Sequence, residues 1–444
     1  MPFALAEKHK STAYLDNNET TLMPGVAIDA LNAWCNRGNP SAGYAREARQ
    51  MLDAFRQEVA VECGFELNTY AVVFTSGASE SNSHIVTSAV RGYAVKTGRL
   101  PHVVTSAAEH KSLLACCRRL AKDGLCQLTV LPVGQSGPGL GTVDPDDIGA
   151  ALRPNTCLVS IMAANHDTGV LSNLRAMAKY TRKARVPFHT DAAQLFGRSA
   201  VRPAALGVDA FSVSFHKLGG PPGVGLLVLR RALVDGYDLC PHISGGGLRG
   251  GAENLPGIGA SYAAFCAAMA GRAEKTARVF FMRNALKSAL ASRLPCFYVD
   301  DHESAPLSSI DGGITPPRQQ ADRPFSAPAR RAVESGAPAV FWVAPADERL
   351  VLPNTLLLAV RRPGFCNRAA QAALEARGVI VGLADAEVVA ALGVHPDLRP
   401  GFLRVSLADS TTGDDIKSFV VNFLAIVSPP AEGHRDPPGD LYSQ

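Results

Sequence analysis

The chain has 444 residues, 47% of them hydrophobic and 19% charged, with a formal net charge of +4. That length can bury a large core and usually holds two domains or one large domain with an appendage, and so small a charge without a basic block excludes an electrostatic footprint for nucleic acid. Its ten cysteines include no Cys-x-x-Cys pair, which argues against a disulfide framework or a zinc site and for a reducing, cytoplasmic compartment.

Residues 1–13 carry Lys8, His9 and Lys10 without an apolar stretch, and read as a lead rather than a secretory signal. From residue 14 to 270 short apolar runs alternate with helical periodicity. Residues 71–74, 102–105, 157–161 and 186–189 read as buried strands, each followed by a turn and then a helix-like segment such as residues 174–184. Repeated strand–loop–helix units imply an α/β fold, a mostly parallel sheet with helices on both faces and a ligand site beyond the carboxyl ends of the strands. The longest apolar stretch, residues 257–271, is shorter than a membrane span and rich in Ala and Gly. It reads as a packed helix of small residues, so no membrane partner is expected.

Residues 271–299 read as a helix leading into a second unit. Pro, Ser and Arg then dominate residues 300–345, which are expected to form a flexible insertion. A smaller α+β domain is expected over 346–427, with strands at 354–360 and 402–407 and a helix at 367–377. The Pro-rich end, 428–444, reads as a disordered tail.

Five segments carry chemistry. In Phe74-Thr75-Ser76-Gly77-Ala78-Ser79-Glu80 a strand breaks into small residues and opens a helix; free helix N–H groups form an anion site, and Ser79 adds a hydroxyl. In Glu109-His110-Lys111, His110 can stack on a planar ring and handle protons. Asn165, in Ala164-Asn165-His166-Asp167-Thr168-Gly169, puts an amide at a strand end. In His189-Thr190-Asp191-Ala192-Ala193-Gln194, Asp191 can pair with a protonated pyridine nitrogen and keep the ring an effective electron sink. Gln194 can reach the same ring's phenolic oxygen.

The fifth segment is Ser212-Val213-Ser214-Phe215-His216-Lys217-Leu218-Gly219-Gly220. A lysine that forms an imine must lose its proton, which suits a partly buried strand end. Ser214 and His216 flank it, where they can donate to a phosphate, and the glycines let the backbone pass close to a ligand. Taken singly, each segment also has an ordinary reading: a surface lysine in a turn, an aspartate capping the next helix, small residues before a helix, a structural histidine. Taken together, they fit pyridoxal 5'-phosphate held as a Schiff base on Lys217.

All five stand in the order and spacing of the NifS-like cysteine desulfurases, within the class V aminotransferases, and the chain resembles that family elsewhere too. Tyr14-Leu15-Asp16-Asn17-Asn18-Glu19-Thr20-Thr21, Gly38-Asn39-Pro40-Ser41, Arg46-Glu47-Ala48-Arg49, Ala252-Glu253-Asn254-Leu255-Pro256-Gly257 and Leu403-Arg404-Val405-Ser406-Leu407 carry the likeness. The resemblance implies a fold-type I enzyme with a seven-stranded, mostly parallel sheet, and a homodimer with active sites near the subunit interface. It implies catalytic roles for Lys217 and His110, and cofactor contacts from Ser79, His110, Asn165, Asp191, Gln194, Ser214, His216 and Lys217. Asn18 and Arg404 would hold the substrate, cysteine or an analogue, with Arg404 as a bidentate clamp on its carboxylate. A sulfur-acceptor protein is a further expected partner.

The chain departs from the family at one telling place. The family's nucleophilic cysteine follows the helix corresponding to residues 367–377, but here Gly378-Val379-Ile380-Val381-Gly382-Leu383-Ala384-Asp385 contains none. Cys366 lies before that helix; it, Cys116 or Cys117 could substitute. Ala252 replaces a threonine that serves a neighbouring subunit's phosphate in the family, and Asn165-His166-Asp167 replaces Asn-Asn-Glu. Two outcomes follow: an enzyme on cysteine or a better leaving group such as selenocysteine or cysteine sulfinate, or an impaired relative that works as a binding or regulatory protein.

Overall fold

The computed structural model describes residues 12–37, 45–237, 239, 241–299, 331, 337–362, 364–394, 398 and 401–428. Most of the expected lead, the Gly38-Asn39-Pro40-Ser41 motif, the 300–345 insertion up to residue 336 apart from residue 331, and the tail from 429 lie outside the described residues.

A short first strand, β1 (Ala13–Leu15), precedes a run of seven: β2 (Tyr70–Thr75), β3 (His102–Ser106), β4 (Gln127–Leu131), β5 (Thr156–Ser160), β6 (Phe188–Asp191), β7 (Ala210–Ser214) and β8 (Gly225–Arg230). These seven form one sheet in the order β2-β8-β7-β6-β5-β3-β4. β8 runs antiparallel to β2 and β7, while the pairs from β7 to β4 are parallel. β2 therefore points the same way as the parallel strands, and the carboxyl ends of β2, β3, β5, β6 and β7 share one edge. Their apolar residues are buried on both faces, as covered parallel strands require.

Alternate residues of each strand enter different cores. Val72 and Phe74 pack with Phe55, Leu174, Met177 and Phe265 on one face. Ala71 and Val73 pack with Ile85, Val90, Leu113 and Cys117 on the other. The Ala- and Gly-rich run forms the helix Leu255–Met269, with Asn254 accepting from Gly257 N at 3.2 Å as its cap. A Cβ at Gly259 would meet the Trp34 ring at 2.3 Å, so a small residue there lets the helix Gly25–Trp34 pack closely. Among the described residues no helix is long and apolar enough to cross a membrane.

The remaining strands are β9 (Cys296–Tyr298), β10 (Ala339–Trp342), β11 (Thr355–Arg361), β12 (Val379–Val381) and β13 (Phe402–Ser406). A four-stranded sheet takes the order β13-β11-β10-β9, and β1 pairs in parallel with β12. Its core joins Leu15, Val340, Trp342, Leu358 and Leu403 to Leu286, Phe419 and Phe423. One expectation fails here. Residues 339–342 were assigned to the flexible insertion, yet Ala339–Trp342 is a fully buried strand in mid-sheet. The four apolar residues bury enough surface to order themselves despite their Pro- and Ala-rich surroundings.

A single bridge from Asp16 to Ser406 then brings the chain's start to the second sheet, and one from Gly382 to Arg404 ties the end of β12 to β13. This places the turn at residues 16–21 over the carboxyl edge of the large sheet.

Candidate active site

At that edge lies a cleft of about 330 Å³ lined by Asn18, Glu19, Thr20, Ser76, Gly77, Ser79, His110, His166, Asp191, Gln194, Ser214, His216, Lys217 and Arg404, among others. Lys217 sits in a short 3-10 turn, Phe215–Leu218, directly after β7. Phe215 anchors that turn in an aromatic cluster, 5.2 Å from the Phe55 ring and 6.3 Å from the Phe196 ring. From above, Thr21 N donates to His216 O at 2.8 Å and Thr21 Oγ1 donates to Lys217 O at 3.0 Å. The lysine backbone is thus gripped from both sides. Burial lowers the Lys217 ammonium to about 8, with Asp191 opposing and Arg198 adding to the shift.

Asp191 ends β6, and each of its oxygens takes one protein donor: Ala193 N on Oδ1 at 2.9 Å and Asn82 Nδ2 on Oδ2 at 2.7 Å. Each oxygen keeps a lone pair for a further donor. Asn82, on the helix Ala78–Thr97, has no assigned role from its sequence; its neighbourhood in the motif is the only signal. Gln194 donates from Nε2 to Asn18 O at 3.0 Å and accepts at Oε1 from Arg198 Nη1 at 2.7 Å.

The three imidazoles around the cleft are held neutral. Burial pushes His216 down to about 4 and His166 to about 3, with Lys217's charge adding to both. His110 is lowered by burial as well. Ser112 N donates to His110 Nδ1 at 3.2 Å, so the neutral ring carries its proton on Nε2. His110 meets His166 edge-on, with ring centroids 5.4 Å apart.

The helix Ala78–Thr97 starts with its N-terminus on the cleft, preceded by Gly77 at φ 151°. Ser79 and Ser214 present hydroxyls beside it. The cradle depends on a close backbone approach: a Cβ at Gly225 would lie 2.5 Å from both Gly77 Cα and Val213 O. Gly225→Ala should therefore destabilise the fold by about 2–3 kcal/mol through overpacking. Urea unfolding should show a lower midpoint with unchanged slope, and anion binding should weaken with it. A midpoint equal to that of the native chain would rule this close approach out.

Two expected site residues are placed differently from their sequence reading. Asn165 is not among the cleft-lining residues; its Nδ2 donates to Ala108 O at 3.1 Å and its Oδ1 accepts from Asp167 N and Thr168 N. The amide closes its own turn, and His166 faces the cleft instead. Asn18 lines the cleft, but its Nδ2 donates to His166 O and Thr355 Oγ1 while its Oδ1 accepts from Asn354 Nδ2. It works as a junction between the first turn and the second sheet.

Arg404 projects from β13 into the same cleft with unexpected company. Nη1 donates to Asp167 Oδ1 at 2.9 Å; Nη2 donates to Asp16 Oδ1 at 3.0 Å and to Glu19 Oε2 at 3.1 Å. Burial raises Asp16 and Asp167 against Arg404's pull. Burial would also lower Arg404, but Asp16 and Asp167 outweigh it and hold the guanidinium charged.

The arrangement defines a cofactor-type cleft at the carboxyl edge of a doubly wound sheet. The sequence profile described as aminotransferase class-V matches residues 13–251, more than half of the chain. The chain belongs to that family, whose members are pyridoxal-phosphate-dependent. Among curated relatives, cysteine desulfurase IscS of Dictyoglomus turgidum is 36% identical over 259 residues, 56% of this chain and 62% of the relative. Selenocysteine lyase of Bos taurus is 33% identical over 280 residues, 55% of this chain and 62% of the relative. The matched stretch thus spans less than two thirds of either protein. A solved NifS-like protein superposes with a TM-score of 0.75 and 25% identity, covering 94% of this chain and 99% of its own.

Proposed function

We propose that this chain is a pyridoxal-phosphate-dependent enzyme that cleaves the carbon–sulfur bond of cysteine or a close analogue, leaving alanine. The observation that carries the reading is the convergence of Lys217, Asp191, His110 and the helix N-terminus beside Ser79 and Ser214 on one cleft. Bound there, the cofactor supplies an electron sink for the bonds at the substrate's α-carbon. Lys217 would hold the cofactor through Nζ and would move protons at the substrate's α-carbon. Asp191 would pair with the ring nitrogen, His110 and Gln194 would lie beside the ring, and Ser79, Ser214 and His216 would hold the phosphate. Arg404 is the site for the substrate's carboxylate.

The turn after β12, Gly382-Leu383-Ala384-Asp385, has no cysteine, and Asp385 N donates to Asp167 Oδ2 at 2.8 Å, which pins the turn against the site. The sulfur must then leave to a thiol that this turn does not supply. With an external thiol the reaction balances: cysteine and R–SH give alanine and R–S–SH, the carbon–sulfur bond breaking as the sulfur–sulfur bond forms. The same cysteine-free turn favours a second reading, an impaired relative that works by binding a partner. Alanine release from L-cysteine by cofactor-loaded protein separates them. On the first reading it rises with added small-molecule thiol; absence of alanine at every thiol concentration, despite bound cofactor, leaves only the second.

A further inference from the structure

Arg404 is the cation on which a substrate's carboxylate would settle, yet three carboxylates of the chain already occupy it. Their exposures differ sharply. The side chain of Asp167 is 0% exposed and that of Asp16 15%, whereas that of Glu19 is 72% exposed; Arg404 itself is 5% exposed. Asp167 and Asp16 are fixed parts of the wall, since Asp167 also binds Asp385 N and Asp16 bridges to Ser406. Glu19 sits on the outer rim of the turn, beside Thr20 and facing the cleft. The buried Nε of Arg404 has no hydrogen-bond partner among the described residues, and the Gly382 backbone packs against both Nε and Nη2: a Cβ there would lie 2.8 Å from each. Of the three carboxylates, Glu19 is thus the one that can give way to an incoming carboxylate, at Nη2, where its Oε2 now lies.

We propose that Glu19 is a built-in competitor for the substrate's carboxylate on Arg404 and so sets the specificity of the cleft. This rests on the reading of Arg404 as the carboxylate site. With Glu19 in place, three negative charges surround one guanidinium, so a free amino acid meets net repulsion at the point where it would be clamped. A ligand whose carboxyl is neutralised as an amide escapes that repulsion. A free carboxylate binds only when Glu19 swings into solvent, which its exposed side chain is free to do.

The test is Glu19→Gln, titrated calorimetrically with L-alanine and with L-alaninamide. Gln keeps the length and shape of the side chain but removes the charge. The expected result is an affinity for L-alanine about three- to tenfold higher than in the native chain, with L-alaninamide unchanged. A purely structural role for Glu19 would move both ligands alike, and that outcome overturns the proposal. So does an L-alanine affinity equal to that of the native chain, or binding of neither ligand by either protein. The titrations are run with and without pyridoxal phosphate, whose own visible absorbance reports loading. A chain that takes up no cofactor then counts against the proposed enzyme, while the Glu19 comparison is still read on the cofactor-free protein.

Discussion

Lys217→Ala should lower any cofactor-dependent turnover by about a thousandfold or more, because attachment and proton transfer at the α-carbon are lost together. Stability should not fall with it. The ammonium is buried and its charged form is disfavoured there, so alanine removes a desolvation cost as well as a packing contact. Two readouts separate the lysine's chemistry from a folding effect. Borohydride reduction of native, cofactor-loaded protein should fix the cofactor's mass on the peptide that contains Lys217, and the variant should take up no label. The rate of cofactor attachment should also follow the lowered ammonium. With a midpoint of about 8, the reactive neutral amine increases about tenfold per pH unit below that point and levels off above it. An ordinary exposed lysine would keep gaining to beyond pH 10. An attachment rate still climbing steeply between pH 9 and 10 would refute the assignment of Lys217 as the buried nucleophile.

The parts of the fold that were legible in the sequence share one property: their signal is local. The helix Leu174–Ala184 shows its apolar face at helical spacing, and Asn173 caps it by accepting from Ala176 N. The strands β2, β3, β5, β6 and β7 of the large sheet read as short apolar runs because both of their faces are covered. β10 was missed for the opposite reason. Its four residues lie beside a Pro- and Ser-rich stretch, and its burial comes from β9 and β11, which no local window contains. The parallel pairing of β1 with β12 is likewise invisible, since it joins the chain's start to a strand near its end.

The same division runs through the site. Lys217, Asp191, Ser79 and His110 lie at strand ends or helix starts, where a motif and its geometry coincide, and the structure brings them to one cleft. Asn82, two residues past the Phe74–Glu80 motif, carries no local signal of its own, because its role depends on a helix crossing over the end of β6. Asn165 misled: an amide at a strand end looks available, yet the tight turn that follows takes its oxygen. The carboxylates around Arg404 come from two segments far from it in the chain, the turn that holds Asp16 and Glu19 and the turn that holds Asp167. Glu19 and Asp167 each look like ordinary surface acids when read in place.

Arg404→Met should be the most destabilising of the substitutions considered, at about 3–5 kcal/mol at neutral pH, because it strands buried carboxylates rather than removing an exposed pair. Asp167 is fully buried and Asp16 nearly so, whereas Glu19 loses only a rim contact. The pH dependence carries the diagnosis. Burial already raises Asp167 and Asp16 in the native chain, and losing the guanidinium raises them further. A carboxyl raised in the folded state binds its proton more tightly there than in the unfolded chain. The variant's deficit is therefore complete above the raised folded values, shrinks as pH falls through them, and is gone below the unfolded value near 4. Urea unfolding should give a much lower midpoint than the native chain at pH 7 and a narrower gap at pH 5, with equal slopes. Arg404→Lys should lie between the two, keeping the charge but losing the planar fork that reaches Asp16 and Asp167 at once. A deficit under about 1 kcal/mol at pH 7 would mean that these carboxylates are solvated without their arginine. The cluster would then be no fixed wall of the cleft, and Glu19 would lose its standing as the one displaceable partner.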